Sequence, residues 1–423
     1  MAKKINYIHT TLGTEVATTE SSGFNEVVES SALTAGKTYY VVCHALVEGS
    51  NANSVFKWRL LDNTNTAQLA DSTLTKEPRA ANETDSYTFV GKFTAGGDGG
   101  GLEFQQQAAA SQTVRTQYVS MMIFDLTNMR SDDYFLVSDS TATEHTASYV
   151  NRVSKTVSRA DAGDEWLVFA WGSFSLDSTG GSGKSAAMAL AFTDGGATAT
   201  AEPDVQEYGG DLTDVLTHMF TRTFTVGTSG EIIWNLQSRD PSLHGSTPND
   251  YEAGALFGLR LNAFADFESV YTSGANAHAD DSFDTEATVS ITPSQAGPVI
   301  VAGSVLHTPG RHTRGLISRV QVDSSTTPNA IPDSQRSHTS NGNNTVLSSP
   351  HISSFTGARG VANTINFDSK LTDASVAQNV TNRSLAAFST ELDYDSSTVT
   401  GKMRRPGMYR RGNGRTTAKR LRR

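Results

Sequence analysis

The chain repeats one pattern of landmarks three times along its 423 residues. An Ala-Gly pair that leads into an apolar run ends at Gly36, Gly163 and Gly297, so these glycines lie 127 and 134 residues apart. Each pair is followed 66 to 71 residues later by two apolar residues that skip one position, namely Leu102 with Phe104, Ile232 with Trp234, and Ile365 with Phe367. Apolar residues at every second position are typical of β-strands. We interpret the pattern as three tandem copies of one β domain, against the alternative of chance alignment in a biased composition.

The apolar pattern inside a repeat predicts a sandwich of short strands. Residues 39–47 are apolar on both faces, which indicates a central strand covered on both sides. Residues 55–60 alternate, as a half-exposed strand does. Seven or eight such strands in each repeat match the size and strand density of a β-sandwich or jelly roll. The predicted fold class is therefore all-β: three tandem β-sandwich (jelly-roll-like) repeats plus an extended basic C-terminal arm.

The landmarks also predict domain boundaries and a core. Repeat 1 is predicted over residues 1–130, repeat 2 over 131–266, repeat 3 over 267–395 and the arm over 396–423. We expect buried side chains at Tyr39, Val41, Leu102, Phe104, Trp166, Val168, Ile232, Trp234, Ile300, Ile365 and Phe367.

Charge is distributed unevenly between the body of the chain and its end. The formal net charge is −10, but ten of the 34 basic residues and none of the 44 acidic ones lie in residues 402–423. An end of charge +10 therefore follows a body of charge −20. Such asymmetry concerns partners rather than fold.

The basic end is predicted to be an extended arm that binds a partner. Pro406 and three glycines prevent a continuous helix. Arginines suit acidic protein surfaces or phosphates, and the apolar side chains among them would give fixed anchor points. The predicted partner-binding residues are Arg404, Arg405, Met408, Tyr409, Arg410, Arg411, Arg415, Arg420, Leu421, Arg422 and Arg423. The alternative is a disordered, solubilising end.

One cysteine and the absence of apolar runs restrict the compartment. Cys43 alone cannot form an intramolecular disulfide, and we expect it to be a small core residue aligned with Ala170 and Ser304. The first residues lack the apolar stretch of a signal peptide, and no apolar run approaches the length of a membrane span. We expect no membrane association and assembly in a cytoplasm.

Glycine-rich segments offer weak signals for nucleotide binding. Residues 178–185, ending in Gly183-Lys184-Ser185, resemble a phosphate-binding loop. Such a loop needs a helix next, and residues 186–192 have the pattern of a strand instead. We interpret this segment, and the glycine run at 96–101, as loops between strands.

Other polar residues give weak signals for metal binding. His307 and His312 could hold a metal ion across a turn, but a solvated loop is the preferred interpretation. The acidic pairs Asp132-Asp133, Asp280-Asp281 and Asp393 with Asp395 are interpreted as solvated linker acids rather than as calcium ligands. We predict no catalytic residue, no cofactor and no metal.

Tandem β-sandwiches rich in Ser, Thr, Ala, Gly and Asn, with a single cysteine, resemble structural proteins of tailed-bacteriophage virions, of the decoration, neck or tail-fibre type. The resemblance implies a non-enzymatic protein that decorates or connects a head, neck or tail and is assembled in the host cytoplasm. It implies binding to other virion proteins and to copies of itself, as a homo-oligomer, through the arm. Nucleic acid is the second choice for the arm.

Two further functions stay open at this stage. A receptor- or glycan-binding fibre protein would need exposed aromatic residues, for which Tyr208 and Tyr251 are the candidates. A glycan-processing enzyme would need paired carboxylates in a cleft.

Overall fold

The structure is a computed structural model that describes residues 3–12, 14–51, 54–76, 83–176, 184–194, 197–198, 202–209, 214–240, 250–278, 282–308, 315–324, 327–330, 336–339, 347–371 and 378–394. Nearly all regular structure in these ranges is β-strand, and one short 3-10 helix lies at Leu261–Ala263. Within the same ranges, no helix is long and apolar enough to cross a bilayer.

The strands fall into three consecutive groups. Repeat 1 contains β1 (Asn6–Leu12), β2 (Val16–Thr18), β3 (Asn25–Glu29), β4 (Thr38–Gly49), β5 (Phe56–Asp62), β6 (Ala67–Gln68), β7 (Leu74–Lys76), β8 (Glu83–Thr94), β9 (Leu102–Gln107) and β10 (Val114–Asp125). Repeat 2 contains β11 (Tyr134–Asp139), β12 (Thr143–Glu144), β13 (Val150–Ala160), β14 (Glu165–Leu176), β15 (Lys184–Asp194), β16 (Ala197–Thr198), β17 (Glu202–Gly209), β18 (Asp214–Thr225), β19 (Gly230–Arg239) and β20 (Asp250–Arg260). Repeat 3 contains β21 (Phe267–Thr272), β22 (Asn276–His278), β23 (Asp284–Ile291), β24 (Gly297–Thr308), β25 (Gly315–Ser324), β26 (Thr327–Ala330), β27 (Arg336–Thr339), β28 (Leu347–Gly357), β29 (Asn363–Leu371) and β30 (Gln378–Ser389).

Each repeat has two sheets, and the strand order is the same in all three. The first sheets run β1-β10-β4-β8, β11-β20-β14-β18 and β21-β30-β24-β28. The second sheets run β3-β9-β5, β13-β19-β15 and β23-β29-β25, and each ends in two short strands that pair with the last-named strand. In repeat 1 one of these short strands, β7, also pairs with β18, which joins the second sheet of repeat 1 to the first sheet of repeat 2 as one ten-stranded sheet. Two packed antiparallel sheets with crossing connections make a jelly roll. The prediction of three tandem β-sandwich repeats is confirmed, whereas the boundaries at residues 130, 266 and 395 stay predictions.

The predicted central strands are central. In β4 the side chains of Val41, Val42 and Cys43 have no exposed area, although they point to alternate faces. The strand lies between β10 and β8, so both its edges are paired as well. All eleven side chains predicted to be buried are at most 6% exposed.

The third Ala-Gly landmark is out of register with the other two. Gly36 and Gly163 lie in the turns just before β4 and β14 and have φ angles of 72° and 88°, in the left-handed region that glycine tolerates. Gly297 is instead the first residue of β24, where it pairs with Gly357. The physical reason is that β24 begins earlier relative to its Ala-Gly pair than β4 and β14 do. The glycine of this pair therefore belongs to the strand instead of the preceding turn.

The pairing of β4 with β10, of β14 with β20 and of β24 with β30 shifts register at one point, and this point gives the true alignment of the repeats. The shift follows Leu46 in β4, Ser173 in β14 and Ser304 in β24, and in repeats 1 and 2 the unpaired residue belongs to β10 and β20. Ser304 therefore corresponds to Ser173, and the predicted equivalence of Ser304 with Cys43 and Ala170 is wrong. The prediction that Cys43 is a core residue is confirmed.

Candidate functional site: the junction of the three repeats

The first sheets of the three repeats pack against one another around a common centre. Tyr40 of repeat 1 stacks on Phe257 of repeat 2, with ring centroids 5.7 Å apart and planes 13° from parallel. The ring of Phe257 also lies 5.9 Å from that of Phe124 in repeat 1. Ile300 and Phe388 of repeat 3 belong to the same apolar cluster. Both faces of each first sheet are thereby covered, one by its own second sheet and one by the neighbouring repeats.

The last strand of each first sheet lies against another repeat, whose side chains bond to backbone groups of that strand. These last strands are β8, β18 and β28, and β18 also pairs with β7 of repeat 1 through Val215 and Thr75. In each, the backbone carbonyl at one equivalent position accepts a side-chain hydrogen bond from another repeat; the three residues are Thr88, Met219 and Ile352. They are equivalent because their partners in the central strands occupy the same position. These partners, His44, Trp171 and Ala302, each lie two residues before the residue that the register shift follows. Satisfied edge groups also protect the sheet from pairing with other chains.

The seam between repeats 1 and 2 uses a tryptophan and a threonine. Trp171 Nε1 donates to the carbonyl of Thr88 at 2.9 Å, and the backbone N–H of Thr88 donates to Thr217 Oγ1 at 3.0 Å. The Trp171 ring also meets Phe89 edge-on at 5.4 Å.

The seam between repeats 2 and 3 uses two serines. The hydroxyl of Ser304 accepts from the backbone N–H of Thr221 at 2.9 Å and donates to the carbonyl of the same residue at 3.0 Å. Ser348 Oγ donates to the carbonyl of Met219 at 2.6 Å. All four residues are at most 5% exposed, so these hydrogen bonds are shielded from water.

The seam between repeats 3 and 1 closes the cycle. Ser120 Oγ of repeat 1 donates to the carbonyl of Ile352 at 2.5 Å. His9 lies between Ser120 and Ser354, with Nε2 at 3.1 Å and Nδ1 at 3.0 Å from the two hydroxyls. Repeat 1 therefore meets repeat 2, repeat 2 meets repeat 3, and repeat 3 meets repeat 1 through the same edge. A head-to-tail contact whose rotation closes makes a ring, here within a single chain.

Residues 390–394, which we name the strap, join the end of repeat 3 to the start of repeat 1. The strap N–H of Leu392 donates to the carbonyl of Lys3, and the N–H of Ile5 donates to the carbonyl of Thr390, at 2.8 and 2.9 Å. On its other side, Asp393 donates to Ala263 at 2.9 Å, at the connection between repeats 2 and 3. The strap is thus paired on both sides.

Tyr394 anchors the end of the strap at the connection between repeats 1 and 2. Its hydroxyl donates to Asp133 Oδ2 at 2.6 Å and accepts from the backbone N–H of Arg130 at 2.9 Å. The Arg130 guanidinium lies 4.3 Å above the Tyr394 ring. Burial and the hydrogen bond to Asp133 raise the pKa of Tyr394 well above its ordinary value, so the hydroxyl remains a donor at neutral pH.

Asp133 was predicted to be a solvated linker acid, and this is wrong. It is 3% exposed and forms an ion pair with Arg260 at 3.1 Å, which in turn binds Asp164 at 2.7 Å. The neighbouring acid Asp132 is exposed, as predicted. A pair of adjacent acids in a strand-to-strand connection places one side chain outward and one inward, which composition cannot distinguish.

A serine, a histidine and a carboxylate meet inside repeat 3. Ser369 Oγ donates to Glu286 Oε1 at 2.5 Å, His278 Nε2 contacts the same oxygen, and Asp284 Oδ2 lies 3.3 Å from His278 Nδ1. Burial raises the pKa of Glu286, but the hydrogen bonds from His278 and Ser369 outweigh it and leave the pKa below the ordinary value. The side chains of His278 and Glu286 have no exposed area. The cluster therefore links β22 of the first sheet to β23 and β29 of the second, and of its side chains that of Asp284 is half exposed.

Among the described residues, three carboxylates on the edge of repeat 1 lie close enough together to hold a metal ion. Oxygens of Glu26, Glu29 and Glu103 lie within 4.8 Å of one another. Burial, followed by the charges of Glu103 and Glu29, raises the pKa of Glu26. Carboxylate oxygens suit hard divalent cations. Sequence reasoning missed this group because Glu103 reaches the other two only through the pairing of β9 with β3.

Comparisons with known proteins find solved structures that resemble this chain but do not assign it to a family. No protein-family model matches the chain, and no curated protein matches it. Among solved structures, the triple jelly roll of a turret assembly in an archaeal virus is 11% identical, with a TM-score of 0.18 over 89% of this chain and 90% of that one. A chain of the lipid-containing bacteriophage PM2 is 8% identical, with a TM-score of 0.20 over 91% of this chain and 99% of that one. The glycosylasparaginase PNGase F of Flavobacterium meningosepticum is 8% identical, with a TM-score of 0.26 over 60% and 96%. These values are too low to carry an inference about function.

The predicted partner-binding residues, Arg404 to Arg423 of the arm, lie outside the described residues. So do His312, Asp280, Asp281 and Asp395, and the side chain of Tyr208.

The remaining sequence-predicted positions have definite places. Lys184 begins β15, so a strand and not a helix follows the glycine-rich segment, and the prediction of a loop between strands agrees with this.

Tyr251 was a candidate for an exposed aromatic platform, but its side chain is fully buried in the core of repeat 2. His307 was assigned to a solvated loop, but it lies in β24 with no exposed area. In both cases a strand extends further than the apolar pattern indicates.

Proposed function

We propose that this chain is a structural protein of a virion, of the kind that decorates or connects the head, neck or tail of a tailed bacteriophage. The observation that carries the proposal is the closed ring of three jelly rolls. Such a ring is a compact body in which each repeat is hydrogen-bonded to the other two. A building block that must keep its shape inside a larger particle needs these properties.

The surface of the body favours attachment through the arm rather than through an apolar patch. Among the described residues, the large apolar side chains that are more than a third exposed are Val55, Val150 and Val361. Stable interfaces usually have an apolar centre, and scattered valines do not form one. The charge of +10 in residues 402–423 against −20 in the rest supplies an alternative attraction.

We place the arm's partner among acidic virion proteins, including copies of this chain as a homo-oligomer. Charge attraction alone is screened beyond about 10 Å at 0.1 M salt, so it would hold the arm loosely. Met403, Met408, Tyr409 and Leu421 would add the apolar contacts that fix it. DNA is the second choice, because the acidic body would oppose close approach to another polyanion.

The test is a chain truncated after Thr400, produced together with the other components of the particle in host cells. We expect the truncated chain to fold normally and to be lost from purified particles. Equal incorporation of truncated and full chains would contradict the proposal.

Two further measurements separate charge, apolar contacts and DNA. In a matched full-length control, Met403, Met408, Tyr409 and Leu421 are replaced by Ser, which keeps the charge of +10; we expect reduced incorporation. Duplex DNA binding is measured between about 50 and 200 mM salt, where phosphate-dominated binding falls steeply. Loss of DNA binding without loss of incorporation would assign the arm to nucleic acid instead.

A further inference from the structure

The three seams of the ring are not held in the same way by the chain. Short covalent connections join repeats 1 and 2 and repeats 2 and 3, since eight residues separate β10 from β11 and six separate β20 from β21. The seam between repeats 3 and 1 joins residues 232 and 345 positions apart, Ser120 with Ile352 and His9 with Ser354. Closing it confines the longest loop in the molecule, at an entropic cost that a short connection avoids.

The strap supplies the additional contacts at this seam. It pairs with residues 3–5 of repeat 1 on one side and with residues 263–265, at the connection between repeats 2 and 3, on the other. Main-chain pairing on both edges of a short segment is the geometry by which an added strand joins two elements. Leu392 is 4% exposed in this position, and Tyr394 reaches Asp133 at the remaining connection. Five consecutive residues thus contact the start of repeat 1 and both connections between repeats.

We propose that the strap is the lock of the ring: while residues 390–394 are in place the seam between repeats 3 and 1 is closed, and when they lift that seam opens first. Repeats 1 and 2, and repeats 2 and 3, stay joined because their seams have their own short connections. This inference rests on residues 3–394 alone and stands whether or not the arm anchors the protein.

The lock has a consequence for the arm if the proposed function holds. Residue 395 follows Tyr394 directly, so any partner of the arm acts on the strap. A partner that binds more strongly when the strap is in place shifts the equilibrium towards the closed ring. By thermodynamic linkage, the closed ring binds that partner more strongly than the open ring by the same factor.

Hydrogen exchange on the purified protein tests the lock. Three chains are compared: the full chain, a chain ending at Tyr394 and a chain ending at Ser389. We expect the first two to exchange alike. In the third, amides of β1 and β28, which flank the seam, should exchange at least ~10-fold faster, while those of β8 and β18 at the other seams change little. Unchanged exchange in β1 and β28, or equal acceleration in all four strands, would overturn the proposal.

A disulfide variant decides the matter if the chain ending at Ser389 does not fold. Lys4 and Glu391 form an isolated antiparallel bridge, so the double substitution Lys4→Cys and Glu391→Cys suits disulfide geometry. The natural cysteine, Cys43, is buried and does not compete. Reduction of the disulfide should accelerate exchange in β1 and β28 but not in β8 and β18. Identical exchange of the oxidised and reduced forms would show that the strap does not lock the seam.

Discussion

The hydroxyl of Ser120 donates a hydrogen bond of 2.5 Å to the backbone carbonyl of Ile352, 232 residues further along the chain. The carbonyls at the equivalent positions, Thr88 and Met219, accept hydrogen bonds from Trp171 and Ser348. One acceptor position is therefore used three times, with a different donor each time. The acceptor position recurs in all three repeats, whereas the donors lie in β14, β28 and β10, at positions that are not equivalent.

The first prediction concerns the closing seam. Ser120 has no exposed area, and Ser120→Ala removes its hydrogen bond and leaves the carbonyl of Ile352 without this donor. We expect a loss of about 1–3 kcal/mol in the free energy of unfolding, measured by denaturant titration. The matched control is Ser154→Ala on the exposed face of β13, which should change stability by less than about 0.5 kcal/mol. Equal effects of the two substitutions would contradict the importance of the seam.

The second prediction concerns the shared apolar centre. Phe257 is fully buried and its ring lies against Tyr40, Phe124 and Phe169, so it connects repeat 2 to repeat 1. We expect Phe257→Ala to cost about 3–5 kcal/mol, the range for other buried aromatic residues. Because Val150 is 39% exposed, Val150→Ala should leave stability within about 0.5 kcal/mol. A loss below about 1 kcal/mol for Phe257→Ala would show that the repeats do not depend on this contact.

The sequence was sufficient to predict features that depend on neighbouring residues. Alternation placed Phe104, Trp234 and Phe367 inside the repeats, because a strand turns successive side chains to opposite faces. Apolar residues on both faces of residues 39–47 predicted a central strand that is covered on both sides. The sequence pattern could not identify what covers the second face of this strand, since any apolar surface satisfies the same pattern.

The ring and the strap could not be predicted from the sequence. Ser120, Ser304 and Ser348 are small polar residues in strands, and nothing nearby in the sequence distinguishes a seam donor from a solvent-facing serine. Their partners are backbone carbonyls, which leave no residue-specific signal at all. The failed equivalence of Ser304 with Cys43 has a related cause, because the Ala-Gly pair at Gly297 begins a strand instead of preceding one.

A third prediction concerns the buried carboxylate of repeat 3. Glu286→Gln keeps the shape of the side chain but removes the charge that accepts hydrogen bonds from His278 and Ser369. We expect a loss of about 1.5–3 kcal/mol at neutral pH, as for hydrogen bonds to a charged group. The pKa of Glu286 is lowered in the folded state, so this contribution is present above its ordinary value of 4.5 and is lost as pH falls through the lower folded value. Stability of Glu286→Gln should therefore depend less on pH below 4.5 than that of the natural protein; parallel curves would contradict this.

His145 is a buried histidine of repeat 2 with unusual surroundings. It is 4% exposed, and neither ring nitrogen has a hydrogen-bond partner in the described part of the chain. Its ring lies 5.5 Å from that of Phe174. Burial, followed by the charge of Arg152, lowers the pKa of His145 to about 4, and the nearby Asp240 opposes this only in part. The folded protein therefore holds this histidine neutral.

The last prediction follows from that lowered pKa. The unfolded chain binds a proton at His145 near pH 6.5, whereas the folded chain does so only near pH 4, so stability is full above pH 6.5 and falls as pH decreases towards 4. At about 1.4 kcal/mol for each pH unit, the free energy of unfolding falls by about 3 kcal/mol between pH 6.5 and pH 4. We expect His145→Phe to flatten the stability curve in this window, while Val150→Ala keeps its slope because the buried His145 is still present. Denaturant titrations at several pH values measure both slopes. An unchanged slope in His145→Phe would assign the acid sensitivity to other groups.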